Sequence, residues 1–293
     1  MFDGFTDRRI ALPTGVTLRV RVGGEGPPVL LLHGYPQTHV CWHKVAPLMV
    51  EKGFTVVASD LRGYGDSSRP ETTPDHAPYS KRAMAADQAA LMSELGFETF
   101  ALAGHDRGGR VAHRLALDHG ARVTHLATLD IAPTATMYAR TEKTFATGYY
   151  HWFFLIQPAP LPERLIGADP EFYLRKKMGA WAGGDAGSFT DEAMAEYIRC
   201  FSDPACIAAT CEDYRTAATL DLEHDKADEG RKLQMPMLAL WGARGLVGRL
   251  YDVPEVWREK AEKVDGRALD CGHFLPEERP EETAEALAEF FKL

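Results

Sequence analysis

Asparagine does not occur anywhere in the 293 residues, which excludes any site that needs that side chain. No run of apolar residues approaches twenty, so no transmembrane helix is expected. The opening Met1-Phe2-Asp3-Gly4 lacks a basic segment followed by an apolar one, so no secretory signal is expected. No CxxC pair exists, and Cys41, Cys200, Cys206, Cys211 and Cys271 are odd in number and scattered. They read as reduced, mostly buried thiols of a cytoplasmic protein. Positive charge is in deficit, with 33 Lys and Arg against 42 Asp and Glu and a net charge of −9. That balance argues against nucleic acid or an anionic membrane as partner, and it repels small anions at long range. An anionic substrate therefore requires local arginines to capture it.

What is present is a strand and helix alternation. Residues 17–22 alternate as a half-buried strand, and 29–32 (Val-Leu-Leu-Leu) form the continuous apolar run of a strand buried on both faces. Helix is expected over 40–52 and 83–94, and strand over 55–58, 99–103 and 123–129. The order predicts a mostly parallel sheet with helices on both faces, an α/β fold. From about Pro133 to Asp225 the pattern is helical and rich in aromatics, with prolines at 158, 160, 162 and 170. The alternation then returns, with strands expected over 237–241 and 267–269 and helices over 253–262 and 281–291. We expect core at 1–132, a helical cap at 133–225, and core again at 226–293. The cleft between core and cap falls at the carboxyl ends of the strands, where such sheets bind ligands.

The central motif is Gly104-His105-Asp106-Arg107-Gly108-Gly109, placed after an apolar run and before a helical pattern. A strand, a glycine-flanked turn and a helix form the setting in which one side chain is held exposed on a strained bend. The residue on the bend is Asp106. An aspartate at a helix start is ordinarily a cap, but the preceding strand and the flanking glycines favour a nucleophile. A carboxylate attacks saturated carbon well, and the ester it forms can be hydrolysed. The helix end, Arg107 and Arg110 should hold its pKa down. His273, in Asp270-Cys271-Gly272-His273-Phe274, lies between the last strand and last helix and is expected to be the general base. Two stations are open for the acid that orients it. The stretch 242–248 carries no carboxylate, whereas Asp130 follows the strand ending at 129, so Asp130 is assigned and Asp252 is the runner-up. Backbone N–H groups of Tyr35, in His33-Gly34-Tyr35-Pro36, and of Arg107 are expected to form the oxyanion hole. The glycine-rich Asp60–Ser67 stretch lacks the lysine of a phosphate loop and reads as a structural turn.

With HGYPQ at 33–37, DLRGYGDS at 60–67, GHDRGG at 104–109 and GHF at 272–274, nearly the whole chain resembles the α/β-hydrolases with an aspartate nucleophile. The resemblance implies an eight-stranded, mostly parallel sheet flanked by helices, with a helical cap. It also implies no cofactor, no metal, and a homodimer. Haloalkane dehalogenases of this group usually place tryptophan after the nucleophile and often hold halide with an asparagine; here Arg107 follows, and asparagine is absent. Asp106-Arg107-x-x-Arg110, His151-Trp152 and Glu212-Asp213-Tyr214-Arg215 are similar to the fluoroacetate dehalogenases. That branch implies a 2-haloacid whose carboxylate is held by Arg107 and Arg110, with halide bound by His151, Trp152 and Tyr214. Trp181 is expected to line the pocket. Tyr35 stands where phenylalanine is the family's usual residue. An epoxide hydrolase using Tyr214 and Tyr150 as proton donors is the alternative, and a noncatalytic carboxylate-binding relative is the second.

Overall fold

The computed structural model describes residues 1–184 and 187–292. Its core is one eight-stranded sheet, ordered β1-β2-β4-β3-β5-β6-β7-β8. The strands are β1 Thr6–Ala11, β2 Thr17–Gly23, β3 Pro28–Leu32, β4 Thr55–Ser59, β5 Phe100–His105, β6 Val123–Leu129, β7 Met237–Gly242 and β8 Val264–Leu269. β1 and β2 run antiparallel, as do β2 and β4, and every other neighbouring pair is parallel. The central strands β4 and β5 are buried along their whole length, and β3 from Val29 onward, which is why they read as continuous apolar runs. Helix Lys81–Glu94 packs on Arg107–Asp118, and Val45–Glu51 packs on Pro280–Phe291.

Several elements differ from expectation; the helix expected over 253–262 stops at Arg258, and Ala261 instead forms a parallel bridge with Leu233. β1 carries the polar sequence Thr-Asp-Arg-Arg-Ile-Ala and lies almost wholly exposed, so it has no apolar period to announce it; pairing with β2 alone makes it a strand. The expected helix over 40–52 is two pieces, a 3-10 turn His39–Trp42 capped by Thr38 and a helix Val45–Glu51. β8 begins at Val264 rather than 267, because Asp265 and Gly266 hide an exposed edge strand. Between β6 and β7 the described residues form eight helices, from Thr134–Ala139 to Leu220–Ala227, and no strand. The last of these runs across the boundary expected at residue 225.

Register does the positioning. Leu32 pairs with Gly104, His105 with Leu129, Leu129 with Leu240, and Gly242 with Leu269. The parallel strands therefore end together, and the residues that follow them, near 33, 106, 130 and 273, emerge at one edge of the sheet. The turn after β5 is tight. A Cβ on Gly104 would lie 2.4 Å from the Gly108 carbonyl oxygen, and one on Gly108 would lie 2.4 Å from that of His33 and 2.5 Å from that of Leu32. Helix Arg107–Asp118 thus rests directly on the backbone of β3. Gly108→Ala forces these backbones apart and is expected to destabilise the fold by about 2 kcal/mol. A thermal melt checks this, with an unchanged midpoint as the contrary outcome.

Candidate active site

Asp106 sits between β5 and helix Arg107–Asp118 with φ 47° and ψ −115°. This positive φ is strained for a residue with a side chain, and it aims the carboxylate away from the helix it precedes. No side-chain cap is made, so the ordinary N-cap role is excluded. The Tyr35 N–H donates to Asp106 Oδ1 at 2.9 Å. Among the described residues the Tyr35 N–H, but not that of Arg107, donates to this carboxylate.

Asp106 Oδ2 lies 3.8 Å from His273 Nε2. On the other side of the ring, His273 Nδ1–H donates to Asp130 Oδ2 at 2.6 Å, and Asp130 Oδ1 accepts from the Gly242 N–H at 3.0 Å. Asp130 also has a positive φ of 50°. Asp252 instead caps helix Val253–Arg258, accepting from the Glu255 N–H, far from this array. Burial works to raise the Asp106 pKa, but His273, His105, Arg110 and Arg107 together outweigh it and hold the carboxyl below its ordinary value. For His273, burial works downward, and the hydrogen bond and charge of Asp130, with the charge of Asp106, carry it above its ordinary value.

The loop bearing His273 is pinned by Glu278. Its carboxylate accepts from the N–H groups of Gly272 at 2.9 Å, Phe274 at 2.9 Å and Gly183 at 2.7 Å. The His273 N–H in turn donates to the Trp181 carbonyl at 2.9 Å. The histidine loop and the helical segment between β6 and β7 are joined here.

Arg107 and Arg110, one turn apart, are both buried beside Asp106. Arg107 differs from expectation. Its Nε donates to Asp213 Oδ2 at 2.9 Å and its Nη2 to Asp213 Oδ1 at 2.7 Å, so its fork is already filled. Only Nη1 is buried without a partner. Arg110 spends Nη1 on the Ala132 carbonyl and Thr134 Oγ1 and Nη2 on Met137 Sδ, leaving Nε unpartnered. Each arginine therefore offers a ligand one nitrogen with no protein partner.

Aromatic rings close the site. The Arg107 guanidinium lies 4.1 Å over the Tyr214 ring, and that of Arg110 lies 4.7 Å over Trp152. His151 is 5.4 Å from Tyr214, 4.6 Å from Trp181 and stacked on Tyr35 at 6.0 Å, between ring centroids. The Tyr35 hydroxyl donates to that of Tyr173 at 3.2 Å, so the residue in the phenylalanine position is tied into the wall by its extra oxygen. His151 Nδ1 and the Tyr214 hydroxyl are buried without partners. Burial first, then the charges of Lys177, His273 and the two arginines, drives His151 well below its ordinary pKa, so its imidazole is neutral. Burial and the Asp106 charge raise Tyr214, which keeps its proton. Asp106, Asp130, His273, Arg107, Arg110, His151, Trp152 and Tyr214 thus gather in one region, and Trp181 stands 5.5 Å from the His273 ring.

Tyr150, the second donor of the epoxide alternative, is 46% exposed and points outward. Sequence reasoning missed Asp213, Glu278 and Tyr149, whose ring lies 5.5 Å from His151 and 6.4 Å from His273. Asp213 sits in the quoted Glu212-Asp213-Tyr214-Arg215 segment, and a carboxylate next to a pocket tyrosine was its available signal. The five cysteines are buried and free. Asp60, in the glycine-rich loop, accepts from the His39 N–H, His39 Nδ1 and the Asp66 N–H, a structural role.

The sequence profile described as alpha/beta hydrolase fold matches residues 27–280. The chain belongs to the α/β-hydrolase family. It is 47% identical to the fluoroacetate dehalogenase of Burkholderia sp, over 99% of this chain and 95% of that one. It is 36% identical to the soluble epoxide hydrolase of Corynebacterium sp. (strain C12), over 96% of each. A solved structure from Nostoc sp PCC 7120, described only at the level of an alpha/beta hydrolase, superposes with a TM-score of 0.97 at 60% identity and 99% coverage of each chain.

Because the His273 pKa is raised, its contribution to stability is present below the unfolded value of about 6.5 and is lost as pH rises through the folded value. A base must be neutral to act, so catalytic efficiency should climb with pH through that same folded value. Asp130→Asn removes the two largest upward influences, the Asp130 hydrogen bond and charge, and leaves the charges of Asp106 and Glu278, so the His273 pKa should fall from its raised position. Titration of the His273 ring by NMR checks both directions; an unmoved midpoint in the variant contradicts the assignment.

Proposed function

We propose that this protein is a hydrolytic dehalogenase of short 2-haloacids such as fluoroacetate or chloroacetate, yielding glycolate and halide. One observation carries the reading. Four buried polar groups have no protein partner: Arg107 Nη1 and Arg110 Nε, whose charges hold Asp106 ionised, the Tyr214 hydroxyl, which feels the Asp106 charge, and Nδ1 of His151, which packs on Tyr35 and Tyr214. Unpartnered buried donors call for a ligand that accepts. A haloacetate offers acceptors at both ends: a carboxylate for the arginines, and a leaving halide for His151, Trp152 and Tyr214.

In this mechanism Asp106 Oδ2 attacks the α-carbon in line, an O–C bond forms, the C–X bond breaks, and halide leaves with the bonding pair. The neutral imidazole of His151, the retained phenol proton of Tyr214 and the Trp152 indole stabilise the departing charge. His273 Nε2 then takes a proton from water that adds to the Asp106 carboxyl carbon. The tetrahedral oxyanion forms on Oδ1, where the Tyr35 N–H already donates. Glycolate departs with the proton from His273, and the regenerated Asp106 releases the second proton to solvent. No cofactor or metal enters these steps.

The epoxide alternative draws on the Corynebacterium relative and on Tyr214, but Tyr150 is 46% exposed and lines only the outer cavity, under Lys177. A noncatalytic binder would not require the continuous Asp106, His273 and Asp130 array. The reading extends to core at 1–132 and 226–293 under a cap at about 133–225, and to a cytoplasmic homodimer. Phe172, Leu165, Leu161 and Tyr150, all of the cap, make up most of the exposed large apolar side chains, and apolar side chains left on one domain's surface suit a second copy.

Purified protein is expected to release halide from fluoro-, chloro- or bromoacetate and no diol from styrene oxide; diol without halide reverses the choice. His273→Ala should slow ester hydrolysis by about 10³-fold, so that intact-protein mass shows an adduct on Asp106. An unmodified mass with substrate bound would falsify the covalent route. Leu165→Asp with Phe172→Asp should convert a dimer to a monomer in light scattering; a monomeric parent refutes the interface.

A further inference from the structure

A cavity of about 300 Å³ opens on the outer side of the active site, and its lining includes Tyr149, Trp181 and His273. These three rings are also the wall of the catalytic pocket, since Trp181 lies 4.6 Å and Tyr149 5.5 Å from His151. The cavity is therefore placed as the approach to Asp106. Its remaining charged lining residues are Lys176, Lys177, Arg244 and Arg249, with no carboxylate among the described ones. In a chain of net charge −9 this is a local reversal of sign.

Lys177 is the unusual member. It is only 2% exposed, yet its Nζ makes no hydrogen bond or ion pair among the described residues. The ammonium sits 3.2 Å over the Tyr150 ring, 5.3 Å from the Trp181 ring and 5.7 Å from that of Tyr173. Aromatic faces tolerate a cation without neutralising it. Arg244, by contrast, is engaged with the Gly183 and Asp270 carbonyls and the Asp270 carboxylate. Burial lowers the Lys177 ammonium to about 7. A bound anion would oppose that effect.

We propose that this cavity is an anion-binding antechamber in which Lys177 takes the carboxylate of the incoming haloacid before it passes between Tyr149, Trp181 and His273 to Asp106. The substrate assignment rests on the dehalogenase reading; the anion site itself does not. Focusing an anion into such a mouth raises association rates by roughly 10- to 1,000-fold. The rim cations set the field, and among the described lining residues Lys177 is the buried cation, free of any hydrogen bond or ion pair.

The test uses Lys177→Met, which keeps the length of the side chain and removes the charge. Removing an unpaired buried charge should leave the melting temperature at or above that of the parent, which establishes that the variant is folded. Iodide quenching reads the site without turnover. Trp42, Trp152 and Trp257 are buried, so accessible quenching falls on Trp181, beside Lys177, and on Trp241. The variant should lose roughly half of the iodide quenching constant while quenching by neutral acrylamide is unchanged. With chloroacetate, kcat/KM should fall about tenfold and lose much of its dependence on ionic strength, the loss appearing in kcat/KM rather than in kcat. Unchanged iodide quenching, or an unchanged kcat/KM, overturns the proposal. If the parent releases no halide from any haloacetate, the dehalogenase reading fails, and the quenching comparison still decides the anion site.

Discussion

Burying a carboxylate raises its pKa by several units unless positive charge and hydrogen-bond donors oppose the effect. Asp106 is buried, yet its surroundings keep it charged, as the nucleophile role proposed for it requires. The means are local. Tyr35 N–H donates to one oxygen, and His273 lies near the other. Arg107 and Arg110 follow on the next turn of helix. Each of these is in turn a buried polar group with demands of its own, and the arrangement spreads outward as those demands are met.

Arg107 shows how far it spreads. A wholly buried guanidinium needs a counter-charge, and Asp213 supplies it. Asp213 also accepts from the Tyr64 hydroxyl at 2.6 Å and pairs with Lys81, which reaches Asp221 at 3.3 Å. Charges alternate along this chain, so each ion has an opposite neighbour and the desolvation of each is offset. Tyr64 and Lys81 belong to the core, Asp213 and Asp221 to the helical insertion. The same ion pairs that satisfy Arg107 therefore fasten the two parts together, and they leave Arg107 with its Nη1 amino group open and aimed by a rigid support.

The buried strands were legible because a parallel strand covered on both faces must be apolar throughout, as β3 and β4 are. The tight turn that carries Asp106 was legible because a strand, Asp106 and helix-permitting glycines are adjacent in sequence. Asp130 and His273 were legible from their positions after strands. β1 was not, since its pairing with β2 is settled by backbone hydrogen bonds and leaves no mark in side-chain polarity. Nor was the filled fork of Arg107, because Asp213 lies 106 residues away and its approach is a matter of tertiary packing. Lys177 was equally silent: one lysine in a helix resembles any other until Tyr150, Tyr173 and Trp181 are seen around it.

Glu278 ties the backbone on both sides of His273 to Gly183 of the insertion, and Trp181 accepts from the His273 N–H itself. A swinging lid at this seam would have to drag the imidazole off Asp130 each time it opened. The seam is better described as a weld. Traffic to and from the nucleophile must then be governed by rotation of individual rings within a fixed backbone frame, so the width of the aperture, rather than the travel of a domain, sets how large an acid can enter.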